Sequence, residues 1–181
     1  ALFLVTAFVI RVVAVLFQHY VGNLPDSGAD AIVFEETAWN WGSDGFLSAV
    51  AHFPGPSSYF NSWLISLFYS VFGRSPLMAQ CLSLAAGMGA VLLGWLLTRT
   101  LWGESAARKA GWVLAFFPTL VLYSALIMRE AFIWFFLLVA FFGVVRWTRH
   151  GGFKSIALSM FGFSGATFFH GAMLVGALVF L

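Results

Sequence analysis

The chain has 181 residues, 61% of them hydrophobic and 9% charged, with a mean hydropathy of +0.94. Soluble domains carry about 25% charged residues, so this chain cannot coat a water-facing surface; a cytosolic globular protein and extended disorder are both excluded. The single cysteine, Cys81, excludes an intramolecular disulfide and a cysteine-rich metal site.

Residues 1–18 are apolar apart from Arg11. The chain lacks an initiator methionine and starts and stops inside apolar runs, which reads as part of a longer protein, with no cleavable signal peptide in view. Arg11 sits about 10 Å below the end of its run, placed to snorkel outward or to pair inside a bundle. Segment 19–74 follows, and loops of that length usually carry structure or function of their own. Its "GADAIVFEETAWNW" predicts a helix with Asp30, Phe34, Ala38 and Trp41 on one face. Ser27 and Asp30 have the spacing of a capping box. After the breaker stretch "HFPGPSS", "SSYFNSWLISLFYSVFG" predicts a second helix with Ser58, Ser62, Ser66 and Ser70 in one polar stripe. That pattern suits a helix lying in the membrane interface. Glu35, Glu36 and Asp44 read as solvated.

The remaining apolar runs are 75–98, 110–128, 131–145 and 155–181, the last interrupted only by His170. A span takes roughly 20 residues, and the fourth run reaches that length with Glu130 and Arg146 at its ends. The alternating strands of about ten residues that build a β-barrel are absent. The expected fold is therefore an all-α integral membrane protein forming one module over 1–181. It would have about five transmembrane helices and two interfacial helices in the loop 19–74.

Charge sets the expected orientation. Segments 99–109 and 146–154 hold Arg99, Arg108, Lys109, Arg146, Arg149 and Lys154 against the single acid Glu104. The opposite side holds Asp26, Asp30, Glu35, Glu36, Asp44 and Glu130 against Arg74 and Arg129. The basic loops are expected in the cytoplasm and loop 19–74 outside, and the absence of an N-x-[ST] sequon fits a prokaryotic cell membrane without proving one. The Trp and Phe content, 8 and 22 residues, reads as lipid-facing surface and interfacial anchors. No phosphate loop, dinucleotide fingerprint, H-E-x-x-H or nucleic-acid signature occurs.

Several polar residues stand out, each with a plain structural reading beside the functional one. Asp30 can be a helix cap. Arg129 and Glu130 can be a polar turn in a hairpin, although so short a hairpin holds both charges at the membrane boundary, where charge is costly. His170 lies about 24 Å from the Lys154 end of a core about 30 Å thick, so it is either a hydrogen-bonded interhelical histidine or an intramembrane functional group. His52 precedes the second interfacial helix.

The order of these features resembles the GT-C glycosyltransferase superfamily. It is most similar to family 39, the protein O-mannosyltransferases, and to bacterial enzymes that move mannose or aminoarabinose from polyprenyl phosphates. Asp30, Phe34 and Ala38 match the family's D-x-x-x-[YF]-x-x-x-A pattern after the first span, although Ala31 stands where a Glu usually follows. "HFPGPSSYF…VFG", with His52, Tyr59 and Gly73, is similar to the basic-Pro-Pro-x-Tyr stretch and the interfacial helix behind it, with displaced prolines. The similarity continues through the Trp102–Gly103 end of the second span, Pro118 in the third and Glu130 opening the fourth. It covers essentially the whole chain and rests on order rather than on any one motif.

The resemblance implies an inverting transferase that takes a sugar from a polyprenyl-phosphate donor to a lipid, glycan or protein hydroxyl, on the outer face of the membrane. It implies Asp30 as base, since the acceptor must lose a proton as it attacks, with Glu130 in support. Arg129, His52 and His170 would balance the phosphate charge. Some relatives use a divalent metal and others do not, so the metal is left open, with Asp30, Glu130 and the histidines as the available ligands. Two other readings remain: a non-enzymatic helical subunit of a membrane complex, with His170 binding a pigment or haem, and a polyprenyl-linked glycan polymerase or ligase. Membrane lipids are the expected surroundings, and no nucleic-acid partner is expected.

Overall fold

A computed structural model describes residues 2–180, with the side chains of Ala29 and of 177–180 outside the description. Among the described residues the chain is entirely helical: α1 Leu2–Tyr20, α2 Ala29–Gly42, α3 Phe46–Ala51, α4 Phe60–Phe72, α5 Pro76–Phe116, α6 Pro118–Ala125, α7 Glu130–His150, α8 Phe153–Phe169 and α9 Met173–Phe180. Helices α1, α5 and α7 are each long and apolar enough to cross a membrane, which marks a membrane protein.

The 41 residues of α5 would reach about 62 Å if straight. They do not run straight. Gly103 has φ 83° and ψ −178°, a conformation open to glycine but strained for other residues, and folds α5 into two antiparallel arms. The second arm returns so closely that a Cβ on Gly94 would lie 2.5 Å from Leu114 Cδ1. The expected basic loop 99–109 is thus a one-residue turn between helical arms. Arg99 Nε pairs with Glu104 Oε2 at 2.9 Å across it, and Arg149 reaches the Leu101 carbonyl at 3.3 Å.

The run 110–128, expected as one span, is broken twice. Pro118 has no N–H for the helix ladder and forces the residue before it out of the helical region, so Phe117 is extended at ψ 114°. The chain resumes as α6, then leaves the helix again at Leu126 (φ −99°, ψ 157°). Leu126, Ile127 and Met128 are non-helical and buried. Irregular backbone at membrane depth survives only where protein encloses it or a cavity borders it. The run 155–181 is also interrupted: α8 ends at Phe169, His170 is extended, and α9 begins at Met173. His170 therefore caps a helix rather than lying within a continuous span.

Helix α5 packs on α1 and α7, α7 on α8, and α6 on α5 and α1. Small residues let α7 and α8 nearly touch, since a Cβ on Gly162 would fall 2.3 Å from the Ala140 nitrogen. Helices α2, α3 and α4 form a separate layer, which the Leu126–Met128 stretch joins through a shared cluster with Phe34, Ala38, Ile65 and Tyr69. The serine stripe of α4 departs from the expectation of a water-facing edge. Ser62 and Ser66 are fully buried, and a Cβ on Gly42 of α2 would meet the Ser66 carbonyl at 2.7 Å. The stripe is a close-packing seam: small side chains admit α2, and Ser66 and Ser70 satisfy their hydroxyls on carbonyls of their own helix.

Candidate functional site

Asp26, Asp30, Arg129 and Glu130 gather at the end of the bundle opposite Gly103. Arg129 caps α7 and Glu130 opens it, with Arg129 Nε 3.6 Å from Glu130 Oε1 and both side chains mostly buried. The second Glu130 oxygen, Oε2, is buried without a hydrogen-bond partner. A carboxylate oxygen in that state is costly to hold. The Arg129 guanidinium lies 5.7 Å from the centre of the Phe34 ring, which ties α7 to α2 through a cation–π contact. Asp30 sits one turn before Phe34 on the same side of α2, exposed and without a hydrogen bond. The expected capping box does not form, since Gly28 is the N-cap and no side chain caps α2.

A second acid completes this end. Tyr123 of α6 donates its hydroxyl to Asp26 Oδ2 at 3.0 Å, and the Tyr123 ring meets Trp134 of α7 edge to face at 5.9 Å. Asp26 has φ 59°, in the left-handed region that Asp tolerates better than most residues. Composition alone does not point to this pair.

The histidines lie further out. From Phe34 a row of rings runs through Tyr59 (6.0 Å) and Trp41 (6.3 Å) to His52, which stacks on Trp41 at 5.6 Å with 16° between planes. His52 Nδ1 lies 2.8 Å from the Ser48 carbonyl, so Nδ1 carries the proton there. Among the described residues His170 makes no side-chain hydrogen bond or ring contact. Its neighbour Phe169 stacks on Phe132, two residues past Glu130, at 4.8 Å. The Phe168 carbonyl accepts from the Ser57 amide, closing α8 onto the loop between α3 and α4. Arg129, Glu130, Phe34 and Tyr59 thus form one connected group with Asp30 beside it, while His52 and His170 flank it without touching Arg129. Among the described residues, Asp30, Glu130, His52 and His170 do not converge as a metal-ligand set.

Glu35 contradicts the expectation of a solvated acid. It is 7% exposed and accepts from Tyr69 Oη at 3.0 Å, Arg74 Nε at 3.0 Å and a second Arg74 nitrogen at 2.5 Å. The Glu35 hydrogen bond pushes the Arg74 guanidinium further above its ordinary value, and burial, with the Glu35 charge, raises the Tyr69 phenol, so both remain donors. The clue was in α2: Ala31, Phe34, Glu35, Ala38 and Gly42 follow helical spacing and are its buried face. Glu35→Gln and Arg74→Met should be coupled by about 1–2 kcal/mol in a double-mutant cycle on unfolding, a modest value because Arg74 is half exposed. A coupling under about 0.3 kcal/mol would make the fork energetically idle.

Comparison of the chain with family models, with curated proteins and with solved structures finds no match.

Proposed function

We propose that the chain is the membrane module of an inverting glycosyltransferase that uses a polyprenyl-phosphate sugar, with five passes through a prokaryotic cell membrane and its acidic end outside. One observation carries the reading: the largely buried Arg129–Glu130 pair stands at the start of α7, one turn before Trp134, where an open apolar groove begins along the same helix. An apolar cavity of about 430 Å³ runs beside the Phe117–Pro118 break, between α6 and α7. Val113, Phe117, Leu120, Leu137 and Phe141 line it, and so does Trp134, whose edge meets Tyr123 at the charged end. A lipid with a polar head and a long apolar tail has the matching shape and polarity.

On this reading Arg129 holds the donor phosphate. A guanidinium presents a planar fork to two oxygens and stabilises charge that grows as the glycosidic bond breaks. Asp30, exposed and unpaired, takes the acceptor proton. Glu130 positions the acceptor through its free Oε2. His52 and His170 stand on the flanks as further hydrogen-bond donors to the phosphate.

The test is binding and turnover of a polyprenyl-phosphate sugar by purified protein. Arg129→Lys should keep much of the binding but lower turnover, and Arg129→Ala should weaken both. A scaffold subunit would show only local stability changes, of about 0–1 kcal/mol for this pair. Wild type that binds no such lipid, or Arg129→Ala protein that turns over normally, overturns the assignment.

Orientation has its own check. With Cys81 replaced by Ser, a cysteine at exposed Ser43 should react with an impermeant thiol reagent from outside, and one at exposed Ser105 should not. Labelling at 105 from outside would invert the topology.

A further inference from the structure

The end of the bundle away from the Arg129–Glu130 pair is built by two turns. Gly103 folds α5 back on itself, and Gly151 and Gly152, at φ 64° and 90°, turn α7 into α8. The Arg149 guanidinium donates to the Leu101 carbonyl at 3.3 Å, which holds the two turns side by side. Each turn ends a helix long and apolar enough to cross a membrane, so both stand where hydrocarbon gives way to headgroups.

Charge on these turns is unbalanced. Their one acid, Glu104, is taken by Arg99 at 2.9 Å. Arg108, Lys109, Arg146, Arg149 and Lys154 are exposed, and among the described residues none of them pairs with an acid. Helix stability accounts for Arg149, which lies in the last turn of α7 where the helix dipole favours a cation. It does not account for Lys154, in the first turn of α8, where the dipole disfavours one. Like charges on adjoining turns repel one another, and a bound anion removes that cost.

The apolar side chains among the cations decide which anion fits. Trp102 is 71% exposed, Trp147 49% and Phe153 81%. Trp102 precedes the Gly103 turn, Trp147 follows Arg146 and Phe153 precedes Lys154. A water-soluble polyanion would leave these rings in water. A phospholipid takes them in at headgroup level while its phosphate meets the cations.

We propose that the two turns form a docking surface for an anionic phospholipid, with its phosphate among Arg108, Lys109, Arg146 and Lys154 and its glycerol and upper acyl carbons against Trp102, Trp147 and Phe153. Lipid docking here is independent of the transferase reading, because it draws only on the spans and on the charge of this end.

The test is electron spin resonance of spin-labelled phosphatidylglycerol and phosphatidylcholine, with the full-length protein in phosphatidylcholine bilayers. The motionally restricted fraction gives the relative association of the two lipids. Wild type should prefer phosphatidylglycerol by about fivefold or more at low salt. The preference should shrink in 1 M salt, where the screening length falls to about 3 Å. Arg108→Gln, Lys109→Gln, Arg146→Gln and Lys154→Gln combined should lower it below about twofold. Glu104→Gln releases Arg99 and should raise it about twofold; both partners are more than half exposed, so the fold tolerates the change. Inorganic phosphate at constant ionic strength should leave the preference unchanged. A wild-type preference below about twofold, or one that salt does not alter, overturns the proposal. So does full preference in the folded quadruple variant. Should that variant not fold, Glu104→Gln decides, and the absence of any rise overturns the proposal. Loss of the preference to phosphate would assign the surface to a free anion and remove the lipid.

Discussion

Asp30→Asn is expected to lower sugar transfer by about 10²–10⁴-fold, the range lost when a general base is removed. Asn has the size and polarity of Asp but cannot accept a proton at neutral pH. Asp30 is exposed, makes no hydrogen bond and does not cap α2, so nothing in the fold depends on its charge. Thermal stability should stay within about 0.5 kcal/mol of wild type. That separation makes the experiment clean: single-turnover transfer reads the chemistry, and a melting curve reads the fold. A variant with normal transfer would remove Asp30 from the reaction. Loss of transfer accompanied by a large drop in stability would instead assign Asp30 a structural role.

Arg11→Ala is expected to destabilise the bundle by about 3–5 kcal/mol, because it leaves buried carbonyls without donors and opens a cavity. Arg11 is 0% exposed and has no acid near it. Its guanidinium donates to the carbonyls of Leu114 and Ala115 at 3.2 Å, to the Ala7 carbonyl at 3.2 Å and to Ser124 Oγ at 3.3 Å. The need for these donors is set by Pro118, since a proline cannot bond the carbonyl four residues before it, which is that of Leu114. Burying the cation is costly, but two orphaned carbonyls in an apolar interior are costly as well, at about 1–3 kcal/mol each. The deleted side chain adds a cavity. Arg11→Lys keeps the charge without the fork and should recover only part of the loss. Pro118→Ala returns an N–H to the ladder, so it should soften the effect of Arg11→Ala by more than about 1 kcal/mol in a double-mutant cycle. Unfolding in mixed micelles measures all four variants. Strictly additive effects would break the link between Arg11 and the helix break.

The two sites differ in how far they could be read in advance. Arg129 and Glu130 stood out because charge between two apolar runs is costly and has to be accommodated somewhere. Helical spacing places Asp30, Phe34, Ala38 and Trp41 on one face; in the structure Phe34 and Ala38 are buried together with Glu35, while Asp30 is exposed and Trp41 half-buried. A carboxylate is an improbable core residue until Tyr69 and Arg74, 34 and 39 positions later, are known to reach it. The α4 serines carried a similar ambiguity, because small hydroxyl side chains suit water and tight helix contacts equally. Only the approach of Gly42 decides between them. For Arg11, local sequence left snorkelling and internal pairing open, and the acceptors that settle it lie more than 100 positions away.

By itself the sequence determined the helical class, the separation of basic from acidic ends and the hairpin order, because hydrophobic run length and charge placement are local properties. Pro118 and Gly103 entered that reading only as points of family resemblance, and the structure shows them as the residues whose backbone chemistry bends the chain. Only the tertiary structure decided which faces are buried, how the run 110–128 is broken at both Phe117 and Leu126, and where the freed backbone groups find partners. The physical reason is that a helix break or a buried charge is stable only when distant residues satisfy it. Arg11 satisfies the carbonyls before Pro118, Gln80 the carbonyl of Ala125, and Arg74 with Tyr69 the carboxylate of Glu35. Each of those partners is set by packing between helices, which no stretch of the chain encodes alone.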